Sequence, residues 1–281
     1  MSPESPAQNP APNSALHIGV FDSGVGGLTV LRSLLGHIPS ANYDYLGDTA
    51  RLPYGAKSQA TVARYAVSSA KFLVEQGAEY LVIACNTASA LALDAIRDAV
   101  SVPVLGVVET GANAAQASSR TGDVLVIATA ATVESHAYAA ACKERDLRAL
   151  EKACPLLGPL VEEGWIDHAV TREVLSIYLW ELMNQAHEAD MLPDTLVLGC
   201  THYPLLRAQI EQCLPASLRV IDSAEATAAQ VARTLSIAPA PAFAEPVCRF
   251  FATDSVSKFR TLGSRFLGRA IDKVELVDLG G

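Results

Sequence analysis

No uninterrupted apolar stretch in the 281 residues approaches the length of a bilayer span, because charge, Gly or Pro breaks every long one. No membrane-spanning helix is therefore expected. The chain also lacks a charged start followed by an apolar segment, so no secretory leader is expected and the cytoplasm is the anticipated location. Positive charge is scarce: 21 Lys+Arg stand against 30 Asp+Glu, a net charge of -9. That deficit argues against nucleic-acid binding, which needs clustered basic side chains. It does not exclude a small anion, which backbone N–H groups can hold. GxxxxGK[ST], HExxH and CxxC are all missing, so a phosphate loop, a zinc-peptidase helix and a dithiol redox pair are not expected. Lysine is rare, and none ends a candidate strand, which weakens any Schiff-base cofactor chemistry. The expectation is chemistry with no cofactor and no metal.

What is present is a chain that is 50% hydrophobic, enough for one large core or two smaller ones. Residues 1–15, rich in Pro, Ala, Ser and Asn, read as a disordered tail. Beyond them, short apolar runs alternate with helical patterns. The expected strands are His17–Phe21, Tyr43–Leu46, Tyr80–Ala84, Val104–Val108, Val124–Ala128, Leu196–Gly199, Arg219–Ile221, Val247–Ala252 and Val274–Val277. Ser58–Gln76 and Asp167–Ala189 read as the long helices, the first stopped by Gly77. Such alternation predicts a mostly parallel α/β sheet with ligands beyond the carboxyl ends of its strands. A weak duplication is also legible. YLVIACNTASA over Tyr80–Ala90 and TLVLGCTHYPL over Thr195–Leu205 are each a buried strand, a cysteine, polar residues and a helix. Two similar α/β domains are expected, with the active site in the cleft between them.

Six cysteines occur, and Cys85 and Cys200 read as the only two at a strand end directly before a helix. A helix start and polar neighbours favour a thiolate there. Two such thiols facing one substrate suit a racemase, in which one takes a proton from Cα and the other returns one on the opposite face. His202, two residues beyond Cys200, can move protons beside it. Asp22, Ser23 and the glycines after them permit close backbone approach to a ligand. Tyr54 and Gly55 sit in a loop shaped by Pro53, and Asn86, Thr87 and Thr201 offer neutral hydrogen bonds beside the cysteines. Helix capping and core packing remain the plain alternatives for these residues. Cys142, Cys154, Cys213 and Cys248 are read as carrying no function.

Four segments, GVFDSGVGGL (Gly19–Leu28), YLGDTARLPYGAK (Tyr45–Lys57), VIACNTASA (Val82–Ala90) and LGCTHYPL (Leu198–Leu205), resemble glutamate racemases of the aspartate/glutamate racemase superfamily. The resemblance runs from about residue 18 to 224, with Ala128 where that family usually has Gly. It implies Cys85 and Cys200 as the catalytic pair, assisted by Asp22, His202 and Glu162, with Glu163 as the neighbouring alternative for the last. It also implies substrate contacts from Asp22, Ser23, Tyr54, Gly55, Asn86, Thr87, Thr129, Thr132, Thr201 and His202. The implied activity interconverts L- and D-glutamate without a cofactor and supplies peptidoglycan synthesis; a homodimer is left open. The resemblance further implies a discontinuous first domain, 16–108 plus 223–281, enclosing a second at 109–222. Aspartate racemisation, a binding protein of the same fold without turnover, and a thiol redox protein are the competing expectations.

Overall fold

The structure is a computed structural model that describes residues 15–236 and 246–280; most of the expected tail lies outside the described residues. Eight strands come in two runs of four. β1 (His17–Asp22), β2 (Asn42–Gly47), β3 (Tyr80–Ile83) and β4 (Val104–Gly106) precede β5 (Asp123–Ala128), β6 (Arg148–Ala153), β7 (Thr195–Gly199) and β8 (Arg219–Asp222). Two further strands, β9 (Cys248–Ala252) and β10 (Glu275–Leu276), return to the first sheet. The sheet orders are β10-β9-β2-β1-β3-β4 and β6-β5-β7-β8, and every pairing is parallel. Setting aside the returning strands, the two halves share one order, so the duplication in sequence is a duplication in topology. Parallel neighbours require crossovers, and helices supply most of them. All residues of β3, β5 and β7 are buried, as strands covered on both faces must be.

The helix Gln59–Glu75 buries Val62, Ala66, Ala70 and Leu73 at helical spacing and ends where Gly77 takes a φ of +99°. That left-handed turn is cheap only for glycine. Two elements depart from expectation. β4 stops at Gly106, and the helix Val107–Ser118 starts at once, with the Val108 N–H donating to the Ser89 hydroxyl at 3.3 Å. Val107 and Val108 are therefore buried on a helix, an outcome that periodicity over two residues does not separate from a strand. β6, with the charged sequence RALEKA, was not expected. It is an edge strand, only partly buried, and carries no apolar alternation to announce it.

The returning segment is pinned by charge. Arg249 on β9 lies opposite Asp44 on β2, and its Nε donates to the buried carboxylate at 2.6 Å. His17 Nε2 lies 3.0 Å from the same carboxylate. One apolar cluster runs through both sheets, joining Leu28, Leu31 and Leu34 to Ala224, Ala228 and Val231. These belong to the helices Leu28–His37 and Ser223–Thr234, which pack together. Each buried leucine there contributes roughly 1.5–3 kcal/mol, so the halves are held by core packing behind the cleft. Among the described residues no helix is long and apolar enough to cross a membrane.

Candidate active site

Sheets of order 2-1-3-4 have a switch point between their first and third strands, where chain connections leave in opposite directions and open a crevice. Here the first sheet presents Ser23 after β1 and Cys85 after β3, and the second presents Thr129 after β5 and Cys200 after β7. All four line a single cavity of about 400 Å³ between the sheets. Tyr54, Gly55, Asn86, Thr87, Glu162, Thr201 and His202 also face it. Asp22 and Thr132, both buried, stand behind the wall rather than on it.

Cys85 is the N-cap of the helix Asn86–Leu91. Its sulfur accepts the Ala88 N–H at 3.4 Å and lies 3.5 Å from the Ser23 hydroxyl. Burial, reinforced by the Asp22 carboxylate, nonetheless pushes the thiol up to about 12, so Cys85 is a thiol at neutral pH. Asp22 accepts the Gly24 N–H at 2.9 Å through Oδ2, while its Oδ1 has no partner. Burial raises this carboxyl, with the nearby His202 pulling in the opposite direction. The turn after β1 brings Gly27 close against the ends of β1 and β3. A β-carbon at Gly27 would lie 2.6 Å from Asp22 Cβ and 2.8 Å from Ala84 Cβ.

The Cys200 side has the opposite electrostatics. Its sulfur lies 3.9 Å from His202 Nδ1, and His202 Nε2 lies 3.1 Å from Glu162 Oε1. Burial pulls His202 down, but Cys200 and Glu162 outweigh it and push the imidazole up to about 10. Glu162 is held below the usual carboxylate range, first by His202, with Lys258 contributing from 3.5 Å. The alternative carboxylate, Glu163, also borders the cavity, but the hydrogen bond to His202 belongs to Glu162. A cation thus stands beside Cys200, and a neutral thiol waits at Cys85.

The helix starts that follow β3 and β5 also touch directly across the two halves. Thr87 Oγ1 lies 3.0 Å from Thr129 and 3.2 Å from Thr132, and those two are 2.9 Å apart. A β-carbon on Gly55 would sit 2.8 Å from Thr129 Cβ, which is why the loop after Pro53 carries glycine there. Asn86 accepts the Tyr138 hydroxyl at 2.7 Å, leaving its Nδ2 buried without a partner.

Sequence reasoning missed several of these groups. Tyr138, Lys258 and Phe266, whose ring meets His202 edge-on at 5.2 Å, carry no local motif and come from elements distant in sequence. Cys154 is a correction. It directly follows β6 and lines the cavity, so Cys85 and Cys200 are not the only cysteines at strand ends. The unrecognised β6 concealed this. Cys154 follows the edge strand β6 rather than a strand at the switch point, so it does not face Cys85 as Cys200 does. β6 and β7 flank β5, two steps of roughly 4.8 Å, which puts Cys154 beyond disulfide reach of Cys200. Among the described residues no group of three or more His, Cys, Asp or Glu could hold a metal ion.

This arrangement has close counterparts. A glutamate racemase of Koribacter versatilis is 53% identical over 287 residues, covering 94% of this chain and 98% of that protein. The crystal structure of a Bacillus anthracis glutamate racemase isoform matches at a TM-score of 0.86 and 39% identity, over 95% of this chain and 98% of that one. The Francisella tularensis glutamate racemase, solved in complex with D-glutamate, matches at 0.83 and 34% identity, over 94% and 98%. A family model described as Asp/Glu/Hydantoin racemase matches residues 29–231. With the same fold spanning nearly the whole length and a cysteine at each switch point, the chain belongs to the Asp/Glu/Hydantoin racemase family.

Proposed function

We propose that the protein interconverts L- and D-glutamate by proton transfer between two thiols, without a cofactor, and so supplies D-glutamate for peptidoglycan synthesis. One observation carries the reading: Cys85 and Cys200 end equivalent strands of two like-ordered sheets and face one cavity. Each half, 16–108 with 223–281 and 109–222, contributes one of them. In the direction that uses Cys200 as the base, its sulfur, with the His202 imidazolium beside it, takes the α-proton. The Cys85 thiol then gives its proton to the opposite face of the same carbon and becomes the thiolate. The reverse reaction begins from that second state, so the proton count balances in both directions. Asn86 Nδ2, with no protein partner, is a donor for a substrate carboxylate, as are the hydroxyls of Ser23, Thr87 and Thr201. Asp22 acts through Cys85 from behind the wall, and Thr132 through Thr87 and Thr129.

The relatives named glutamate racemase favour glutamate over aspartate as substrate. The test is proton NMR in D2O with L- or D-glutamate, beside L-aspartate. Loss of the α-proton signal with inversion, abolished in Cys85→Ser and in Cys200→Ser, is the expected result. Exchange with aspartate alone would move the assignment to that substrate. No exchange with either amino acid would leave a binding role for the fold.

A further inference from the structure

Tyr138, in the helix Ala137–Lys143, is wholly buried and stands between the two cysteine loops without reaching the cavity surface. Its ring is clamped by backbone on both edges. A β-carbon at Gly111 would lie 3.1 Å from its Cε1, and one at Gly199 would lie 3.0 Å from its Cε2. Gly199 immediately precedes Cys200. From this fixed ring the hydroxyl crosses to the other sheet and donates to Asn86 Oδ1 at 2.7 Å, next to Cys85.

An asparagine amide has a carbonyl end and an NH2 end of nearly the same shape, and only its hydrogen bonds decide which faces where. With Oδ1 taken by Tyr138, Nδ2 is left buried and without a protein partner on a residue that lines the cavity. Turned over, the same amide would present a carbonyl oxygen to an anionic substrate, replacing an attraction by a repulsion. We propose that Tyr138 is a positioning residue that holds the Asn86 amide with its NH2 group toward the substrate carboxylate. The inference rests on the glutamate reading and adds a residue to it. It also ties substrate binding to the closeness of the two halves, because the donor and the oriented amide belong to different sheets.

The test measures kcat and KM for D-glutamate in wild type, Tyr138→Phe, Asn86→Ala and the double variant, with Tm for each. Losing one oriented donor raises KM about tenfold, with kcat held within about threefold. The Tyr138→Phe change adds nothing once Asn86 is alanine, because the hydroxyl acts only through that amide. Additive effects on KM, or a fall in kcat and Tm at unchanged KM, overturn the proposal and leave Tyr138 as packing. If Tyr138→Phe does not fold, NMR of the wild-type Asn86 side-chain amide carries the test. Its NH2 resonances must shift when D-glutamate is added and show no strong NOE to the Tyr138 ring; an NH2 group that lies against the ring, or that D-glutamate leaves unmoved, overturns the proposal. Wild-type α-proton exchange, run alongside, separates the two failures. No exchange sinks the racemase reading and this inference with it, whereas exchange with an unaltered KM in the variants sinks only the role of Tyr138.

Discussion

Replacing Glu162 by glutamine tests how the cation beside Cys200 is made. The Glu162 oxygen lies 3.1 Å from His202 Nε2, with the two side chains 26% and 15% exposed. At an effective dielectric constant of about 20, two charges at that separation attract by about 5 kcal/mol. Partial exposure, and the sharing of the carboxylate with Lys258, reduce what His202 keeps to about 1–2 kcal/mol. At 1.36 kcal/mol per unit, this lowers the imidazolium from near 10 by about one pH unit. If protonated His202 is required for turnover, activity falls as pH rises through its folded value, so the alkaline limb of kcat/KM moves down by about one unit in Glu162→Gln. The assay is initial-rate circular dichroism with D-glutamate across the alkaline range, with a thermal melt at each pH to exclude unfolding. The substrate ammonium titrates in that range too, but identically for both proteins, so the difference between profiles is what counts. An unmoved limb, or one moved upward, would refute the claim that Glu162 sets the charge on His202.

The same imidazole makes stability depend on pH. Because its folded value is raised from 6.5 to about 10, its stabilisation is fully present below about 6.5 and disappears as pH rises through about 10. Tm should fall over that window, and less so in His202→Asn; equal slopes would argue against it. Gly55→Ala puts a methyl group 2.8 Å from Thr129 Cβ across the cleft, so activity should fall at least tenfold with a smaller change in Tm, measured by turnover and melting. Gly27→Ala meets Asp22 and Ala84 in a closed space and should cost about 1–3 kcal/mol in urea unfolding, the usual range for overpacking. Thr132→Val removes hydroxyl contacts to both Thr87 and Thr129, and denaturation should report a loss of about 1–2 kcal/mol.

The buried strands were legible in the sequence because a strand covered on both faces is nearly all apolar, as YLVI and the LVLG of β7 are. The long helix before Gly77 was legible for a similar reason, its period and its stop both being local. The cysteines that follow those strands were marked by position alone, and the repeated pattern around them announced two like halves. β6 was hidden, because an edge strand half open to solvent has no apolar signature, and with it went the placement of Cys154 on the cavity wall.

What only the tertiary structure decided concerns contacts between segments far apart in sequence. Glu162 and His202 are 40 residues apart, and Asn86 and Tyr138 are 52 apart. Lys258 reaches Glu162 because the C-terminal segment returns to the first sheet, where β9 pairs with β2. Local sequence determines where a thiol stands on its strand. Whether that thiol is neutral, as burial makes Cys85, or stands beside a cation, as Cys200 does, depends on what the other half of the molecule brings within a few ångströms, since desolvation and Coulomb energies are set by separation in space.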